Sequence, residues 1–389
     1  MTDWKSIRRS YMVPRDIVYL NNGSFGPSPR PVFDALVRYM KELEENPAVF
    51  NDQFNRVLTV VKPKLAAFVG CSRPECMAFV TNLTFGMNVL AQGIRGLAPG
   101  DEVLTTSLEY GAVNNTWDYS ARAKGLVIRK VKIPSPPESP EQIVSLLEQG
   151  ITARTRVIYV SHVTTDPGLV LPVKAICAMA RTRGILSFID GAHAPGMLNV
   201  NIDEIGCDFY TGNCHKWLGA PMGTAFIAMT PQSWDRIEPF QVGWGWEKDK
   251  PETFVGNFET PGVHNTALAN AVGEAVDFHL SIGKSAIEAR GRELSEMAKD
   301  LLADFPALTL LTSRDPLMCG SMAAFSFAAE ESDTRLTKAL QARRIVVPTR
   351  IDRTGGWIRV STHIYNSKRD LEVLVDVLRE YFGARAGHR

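Results

Sequence analysis

Short apolar runs alternate with longer amphipathic stretches between Met77 and Met229, and this alternation restricts the possible fold more than any other feature. The runs have the length of buried strands, and the stretches between them have the period of helices. The predicted strands are Met77–Thr81, Asp101–Thr106, Val127–Ile133, Arg156–His162, Ile185–Asp190, Asp208–Gly212 and Gly223–Met229. Nearly continuous apolar strands that alternate with helices predict the α/β class, with a mostly parallel seven-stranded sheet covered on both faces.

The second half of the chain has a different pattern. A chain of 389 residues is too long for one small core. Residues 234–262 are rich in Trp, Gly and Pro and predict loops. After them come two long helical patterns, several short strand candidates and a final helix. We therefore predict a large domain over residues 15–260. A smaller α+β domain is predicted to consist of residues 261–389 together with residues 1–14.

Charge and cysteine content narrow the classes of function. The charged residues nearly cancel, to a net charge of +1, so the sequence does not indicate a general basic surface for nucleic acid. The first residues show no signal sequence, and no apolar run is long enough to span a membrane. The six cysteines show neither C-x-x-C nor metal-finger spacing. We expect a cytoplasmic protein that uses no metal, binds neither nucleic acid nor membrane, and acts on a small molecule.

Polar or aromatic side chains follow five of the predicted strands, at the points where the strands end. The five groups are Thr81-Asn82, Ser107-Leu108-Glu109-Tyr110, His162-Val163-Thr164, Asp190 with His193, and His215-Lys216. Ligands of parallel α/β proteins bind beyond the carboxyl ends of the strands. We therefore expect these groups to form one site.

Lys216 and Asp190 indicate the chemistry of that site. Lys216 follows a glycine-containing strand exit and precedes apolar residues, so its burial is predicted, and burial makes an amine a better nucleophile. Asp190 ends an apolar strand, where a carboxylate without a partner is costly to desolvate. A lysine that forms a Schiff base and an acid that pairs with a pyridinium nitrogen together hold pyridoxal 5'-phosphate (PLP). Without the lysine, Asp190 would equally be explained as a turn cap.

A phosphate site is predicted where the first of these strands runs into a helix. Backbone N–H groups near Leu83 and Thr84 and the positive end of the helix dipole suit a dianion, and the Thr84 hydroxyl adds a donor. Asn213 and His215, beside Lys216, can reach the same phosphate. An ordinary helix N-cap explains this strand-to-helix pattern as well.

Three further residues complete the predicted site. Tyr110 can stack on a pyridine ring, and His193 can lie beside the ring or its O3'. The guanidinium of Arg359, on an otherwise apolar strand, suits the α-carboxylate of a substrate. The alternatives are a surface or core tyrosine, a turn histidine and an arginine paired with a structural carboxylate.

Together these segments resemble the class V aminotransferase family, the fold-type I PLP enzymes that include cysteine desulfurases and isopenicillin N epimerase. The resemblance covers nearly the whole chain. The segments most similar to the isopenicillin N epimerase branch are Tyr19-Leu20-Asn21-Asn22-Gly23-Ser24-Phe25-Gly26-Pro27, Asp190-Gly191-Ala192-His193-Ala194-Pro195-Gly196 and the Asn-x-Thr-x-Gly pattern at residues 82–86. The combination is specific for the cofactor and much less so for the reaction.

The resemblance implies a role for each site residue. Lys216, Asp190, His193 and His215 are the implied catalytic residues. The implied cofactor contacts also include Leu83, Thr84, Tyr110, Asn213 and Thr164, where Thr164 replaces the family's asparagine near O3'. The implied substrate contacts are Arg359 and Asn22. The resemblance further implies a homodimer with its active sites at the subunit interface.

The chain departs from the family at two more places. Residues 346–356, where cysteine desulfurases carry a mobile-loop cysteine, contain none, and Cys319 comes too early in the chain. Persulfide-forming desulfuration is therefore not expected. Val263 replaces a threonine that in relatives often reaches the phosphate of the neighbouring subunit, so Thr260 or Thr266 would have to supply that hydroxyl.

The sequence leaves the reaction type open. PLP chemistry passes through an external aldimine to a carbanion at Cα, and several reactions diverge from there. We predict an epimerase-like enzyme acting at Cα of an amino acid. The alternatives are a β-eliminating C–S lyase on a cysteine-derived substrate and an aminotransferase, and a PLP-binding protein without turnover is least expected. Trp244, Trp246 and Phe254 either line a bulky side-chain pocket or pack an interface.

Overall fold

A computed structural model describes residues 2–239, 241–243, 246, 255, 257–259 and 262–386. Its helices are α1 (Trp4–Arg9), α2 (Arg30–Glu45), α3 (Phe50–Arg56), α4 (Lys62–Phe68), α5 (Leu83–Gly93), α6 (Gly111–Lys124), α7 (Pro140–Gly150), α8 (Val173–Thr182), α9 (Ile202–Ile205), α10 (Thr266–Ile282), α11 (Lys284–Ala303), α12 (Arg335–Ala342) and α13 (Lys368–Ala386). Within these described residues, no helix is both long and apolar enough to cross a membrane.

The strands form one large sheet, one small sheet and one isolated pair. They are β1 (Val18–Tyr19), β2 (Met77–Val80), β3 (Glu102–Thr106), β4 (Val127–Val131), β5 (Thr155–Ser161), β6 (Leu186–Asp190), β7 (Phe209–Asn213), β8 (Ala225–Met229), β9 (Thr309–Leu310), β10 (Met322–Phe327), β11 (Ile345–Val346), β12 (Thr349–Asp352) and β13 (Gly355–Ser361).

The large sheet has seven strands in the order β2-β8-β7-β6-β5-β3-β4. Neighbours from β7 to β4 are parallel, whereas β8 runs antiparallel to both β2 and β7. All seven strands predicted in this region are present, with ends shifted by one or two residues. The predicted α/β class with a mostly parallel seven-stranded sheet is therefore confirmed.

Successive residues of the central strands pack into different cores because side chains alternate across a sheet. Tyr159 and Phe188 lie in the core on one face, together with Trp117 of α6, while Val160 and Ile189 lie in the core on the other. Both faces are thus covered by apolar side chains. This explains why the strands show continuous apolar runs in the sequence rather than alternation.

The C-terminal part contains the small antiparallel sheet, in the order β12-β13-β10-β9. Two elements pack against the domain to which the sequence did not assign them. Helix α10 contributes Ala271 and Val272 to a core of the large sheet, because its apolar side faces α2 and α4. Strand β1 pairs with β11, so Val18 packs into the core of the C-terminal part.

The fold positions three polar residues at one edge of the large sheet. Ser161, Asp190 and Asn213 end the neighbouring strands β5, β6 and β7. Ser161 is directly opposite Asp190 in the register, and Asp190 is opposite Thr211. The carboxyl ends of these strands therefore face the same space.

Candidate active site

A cavity of about 310 Å³ lies at this edge of the sheet. Its volume is at the lower end of the range for small-molecule sites. It brings together most of the predicted site residues, which are Leu83, Thr84, Tyr110, Asp190, His193, Asn213, His215, Lys216 and Arg359.

Lys216 projects its amine into the cavity from the loop that follows β7. Its Nζ lies 3.2 Å from Nε2 of His193. Burial lowers the pKa of Lys216 to about 8, while the nearby Asp190 opposes this shift. The Lys216 carbonyl accepts a hydrogen bond from the amide of Asn22 at 3.4 Å. Gly26 packs against the same carbonyl so closely that a Cβ atom there would lie 1.7 Å from the oxygen.

Asp190 ends β6 and is almost completely buried. One of its carboxylate oxygens accepts the backbone N–H of Ala192 at 2.9 Å. Burial raises the pKa of Asp190 to about 6, against the stabilising effects of that N–H and of Lys216. A cationic N–H placed against this carboxylate would relieve the cost of burying it.

A second buried acid, Glu109, lies close enough to Asp190 for their charges to interact. Its Oε2 accepts the backbone N–H of Ser161 at 2.8 Å and the Ser161 hydroxyl at 2.6 Å, and its Oε1 accepts the Thr106 hydroxyl at 2.6 Å. Burial raises the pKa of Glu109 to about 7, and the neighbouring Asp190 adds to the shift. The sequence pattern places Glu109 at a strand exit but gives no sign that it binds back to β5.

The two histidines beside Lys216 have different partners. His193 is buried, and its Nδ1 lies 3.2 Å from the indole Nε1 of Trp217. His215 places its Nδ1 3.2 Å from the carbonyl of Thr224. Burial lowers the pKa of both imidazoles, that of His193 well below its ordinary value. Burial therefore favours the neutral form of both rings.

The predicted phosphate end of the cavity lies at the start of α5. Asn82 caps the helix, because its side-chain oxygen accepts the Phe85 N–H at 2.8 Å. The side-chain oxygen of Asn213 accepts the Leu83 N–H at 2.9 Å. Since this oxygen is committed to the helix, the amide N–H groups of Asn213 are the donors left for an anion. Asn82 can therefore cap the helix while the same helix start still binds an anion.

Arg359 enters the cavity from β13 of the small sheet and is 2% exposed. Its Nη1 donates to the Thr165 carbonyl and its Nη2 to the Ser24 hydroxyl, each at 3.0 Å. Nε has no hydrogen-bond partner among the described residues. No described carboxylate lies within ion-pair distance of it, so the alternative of a structural salt bridge is not observed in that part of the chain. A buried guanidinium with an unused donor fits a carboxylate ligand.

Tyr110 lies at the mouth of the cavity, immediately before α6. Its side chain is 46% exposed and also lines the cavity. The predicted stacking of this ring on a planar ligand is compatible with that position.

Thr164 and Asn22 are not among the residues that line the cavity. Thr164 is fully buried, and its hydroxyl accepts the Leu169 N–H at 2.9 Å. Its neighbour Thr165 lines the cavity instead, with its hydroxyl 3.4 Å from Nε2 of His193. Asn22 is also fully buried, and it bridges the Lys216 carbonyl and the Tyr365 hydroxyl. The structure therefore does not place Thr164 and Asn22 at the cavity wall, where the predicted contacts with O3' and with the substrate require them.

Only some of the residues predicted to line a side-chain pocket or to supply the missing threonine hydroxyl lie in the part of the chain that the structure describes. Trp244, Phe254 and Thr260 lie outside the described residues, whereas Trp246 is 38% exposed. The hydroxyl of Thr266 is buried and donates to the side chain of Gln53 at 2.9 Å, so it is already engaged within the chain.

No cysteine is found among the described residues that line the cavity. Cys319 is buried elsewhere, with its Sγ 3.1 Å from Nζ of Lys299. All six cysteines fall within the described ranges, and all are free thiols. The cavity thus contains no thiol that could accept sulfur.

The donor set of the cavity fits PLP. An amine of lowered pKa is available for an aldehyde, a buried acid for a pyridinium nitrogen, and a helix N-terminus with the Asn213 amide for a phosphate. The unused Nε of Arg359 remains for a substrate carboxylate.

The chain is similar over nearly its whole length to characterised proteins. It is 34% identical to the isopenicillin N epimerase of Streptomyces clavuligerus, covering 97% of this chain and 98% of that protein. It is 26% identical to a probable cysteine desulfurase of Methanothermobacter thermautotrophicus, covering 97% and 98% of the two chains. A crystal structure of a mutant of C-DES, a cystine C–S lyase, with glycine covalently linked to its PLP cofactor shares the fold. That match has a TM-score of 0.86 at 20% identity and covers 97% of this chain and 99% of the other.

The family assignment rests on the extent of the sequence match. The sequence model of the Aminotransferase class-V family matches residues 18–374, which include every residue that lines the cavity. The resemblance identified from the motifs is thereby confirmed, and the chain belongs to the class-V aminotransferase family.

Proposed function

We propose that the chain is a PLP-dependent enzyme that acts at Cα of an amino-acid substrate as an epimerase-like isomerase. The observation that carries the proposal is a single cavity lined by Lys216, Asp190 and Arg359. These residues supply an amine for the cofactor, an acid for its ring and a cation for the substrate. The 34% identity with isopenicillin N epimerase over 97% of the chain favours epimerisation.

When bound, PLP supplies an electron-withdrawing ring that stabilises negative charge at Cα of an amino acid. Asp190 would accept the N–H of the ring nitrogen and keep it protonated, and the desolvated carboxylate would gain a partner in return. Thr84, Asn213 and His215 would hold the phosphate beside Leu83, whose own N–H is given to Asn213, and Tyr110 would lie against the ring.

Lys216 and Arg359 act on the substrate. Arg359 holds the α-carboxylate and so fixes the direction of the Cα–H bond. The Lys216 amine, with a pKa of about 8, is a good proton acceptor near neutral pH once it is free. Inversion needs a second group that returns a proton to the opposite face of Cα. His215 is our candidate for the acid–base group on that face, because its Nδ1 faces the Thr224 carbonyl and its Nε2 lone pair can take up a proton. In one direction His215 would remove the Cα proton and protonated Lys216 would return one, and in the other direction the two roles are exchanged.

A β-eliminating C–S lyase is the second candidate. A C–S lyase shares this fold, and β-elimination needs no thiol from the protein. The absence of a cysteine from the described cavity lining favours it over a persulfide-forming desulfurase. An aminotransferase remains the third candidate.

The cofactor assignment is tested with the purified protein and PLP. We expect visible absorbance and, after borohydride treatment, a tryptic peptide with the cofactor fixed on Lys216. A Lys216→Ala variant should lose this modified peptide. Fixation of the cofactor on another lysine in the wild-type protein would refute the assignment.

The reaction type is tested with a panel of amino acids in deuterated water. Deuterium at Cα together with racemisation is the outcome expected for the epimerase. Pyruvate with a released sulfur product identifies the lyase, and conversion of the cofactor to its pyridoxamine form identifies the aminotransferase. Spectral shifts without any product would identify a binding protein and overturn the enzymatic proposal.

We also propose a cytoplasmic homodimer whose cavities face the partner. Phe25 and Tyr110 line the cavity yet are 56% and 46% exposed. Such apolar exposure at a cavity mouth suits burial by a second copy. The six free thiols suit a reducing compartment. Sedimentation analysis should give twice the chain mass, and a monomer that retains full activity would contradict the dimer.

A further inference from the structure

We propose that Trp217 is a positioning residue that fixes His193 as a neutral imidazole with its proton on Nε2, so that His193 can only donate a hydrogen bond into the cavity. The tautomer itself follows from protein contacts alone. Its consequence for catalysis rests on the PLP function proposed above.

The first step is the chemistry of the contact between the two rings. The indole Nε1–H is a donor and never an acceptor, and it lies 3.2 Å from Nδ1 of His193. Nδ1 must therefore present a lone pair. A neutral imidazole carries a single N–H, which is then on Nε2. An imidazolium would place two N–H groups against each other in a fully buried contact, which carries the cost of unmade hydrogen bonds.

The second step is that Trp217 cannot turn away from this contact. Its side chain is fully buried, and its backbone carbonyl lies 3.0 Å from Nε2 of His279. The edge of the His363 ring packs against it with centroids 5.6 Å apart. On the other side, Gly196 adopts φ of +86°, and a Cβ there would lie 2.5 Å from the Trp217 carbonyl carbon. The turn that carries His193 is thus packed directly against the backbone of Trp217.

The third step is the direction of Nε2. It lies 3.2 Å from Nζ of Lys216 and 3.4 Å from the hydroxyl of Thr165. With its proton on Nε2, His193 donates to a neutral amine or to a hydroxyl oxygen, and it opposes protonation of Lys216. It offers the same N–H to an oxygen atom of a bound ligand.

The two histidines next to Lys216 consequently have opposite tautomers. Nδ1 of His215 faces the Thr224 carbonyl, which only accepts, so His215 carries its proton on Nδ1. His215 presents a lone pair and His193 presents a proton. His193 is therefore excluded as the base that removes a substrate proton, and its part in catalysis is that of a hydrogen-bond donor.

The test is nitrogen NMR of the PLP-loaded protein with ¹⁵N-labelled histidine. A ring nitrogen without a proton resonates far downfield of one that carries a proton, and a His193→Gln variant identifies the two signals of His193. We expect a protonated Nε2 and an unprotonated Nδ1 in the wild type throughout pH 6–8. In Trp217→Phe the donor is lost, so we expect a mixture of tautomers and a His193 titration midpoint shifted to higher pH.

The matched control is Trp117→Phe. Trp117 is equally buried, but its Nε1 has no hydrogen-bond partner among the described residues. This control should leave the His193 signals unchanged. A protonated Nδ1 in the wild type overturns the proposal even if Trp217→Phe fails to fold, as does an equal effect of both substitutions. If the protein binds no PLP, the same signals are read without it, so failure of the proposed function is recognised separately.

Discussion

The side-chain oxygen of Asn213 accepts the backbone N–H of Leu83 across 2.9 Å, which ties the strand before Lys216 to the first turn of α5. The amine loop and the helix N-terminus are thereby held at a fixed separation. Because the oxygen is used in this way, only the N–H groups of Asn213 are available to a phosphate.

Asn213→Asp should weaken PLP binding by roughly ten- to a hundredfold, which corresponds to the usual worth of a hydrogen bond to a charged group. The carboxylate retains an acceptor for Leu83 but replaces the donors with a negative charge. The affinity is measured by titrating the apo-protein with PLP. Asn201→Asp is the control, because Asn201 likewise caps a helix through its oxygen but lies on α9. Unchanged affinity in Asn213→Asp would remove this residue from the phosphate site.

Asp190→Asn should stabilise the apo-protein and weaken the holo-protein. Burial raises the pKa of Asp190 from 3.8 to about 6, so the folded wild type loses stability as the pH rises through this window. Asparagine does not titrate, so the variant does not lose this stability. Its free energy of unfolding should exceed that of the wild type by a margin that grows between about pH 4 and 6 and reaches about 3 kcal/mol. Urea unfolding at several pH values measures this difference. An apo-variant less stable than the wild type at pH 7 would show that Asp190 has a partner other than the cofactor.

Gly26→Ala should displace Lys216 and lower the free energy of unfolding by about 1–3 kcal/mol, since the added Cβ would lie 1.7 Å from the Lys216 carbonyl oxygen. The visible absorbance of bound PLP should fall as well. Gly383→Ala is the control, because its Cβ meets no atom within 4 Å and alanine favours the helix by about 0.5–1 kcal/mol. Thermal unfolding followed with absorbance compares the two. Retention of both stability and absorbance in Gly26→Ala would refute the close approach.

Arg359→Lys should raise the KM for the amino-acid substrate by roughly ten- to a hundredfold while leaving the cofactor absorbance intact, because an ammonium cannot form a forked contact with a carboxylate. Steady-state kinetics on the substrate found in the panel measures the effect. Arg350→Lys is the matched control, since Arg350 and Arg359 lie over the same Trp357 ring, at 5.6 Å and 5.9 Å from its centroid, but Arg350 is more than half exposed. Equal effects of the two substitutions would argue against a substrate contact by Arg359.

Much of the fold was predictable because apolar runs mark strands buried on both faces. The same pattern predicted the end of β6 correctly and the ends of β5 and β7 to within one residue, and with them that Asp190 and the residues around Lys216 meet at one edge of the sheet. The alternation of side chains stops where a strand stops. The sequence pattern therefore could not predict which of Thr164 and Thr165, in the loop after β5, lines the cavity.

Contacts between distant segments were the other gap. Asn22 was predicted to contact the substrate, but its amide binds the Lys216 backbone, while Gly23 and Ser24 line the cavity. Glu109 binds back to Ser161 through a pairing that no local pattern encodes. Trp217 is an apolar residue of a type that usually packs in the core. Only the distance between its indole nitrogen and Nδ1 of His193 shows that it also donates a hydrogen bond.

The segment that begins at β1 links the C-terminal part of the chain to the wall of the cavity. Val18 and Tyr19 are hydrogen bonded to β11, whereas Phe25, a few residues later, forms part of the cavity wall. Arg359 reaches the same wall from β13 and holds Ser24. A rotation of the C-terminal part would therefore carry this wall and the Arg359 guanidinium together. Under the substrate role proposed for Arg359, opening the entrance and releasing the carboxylate would be one movement.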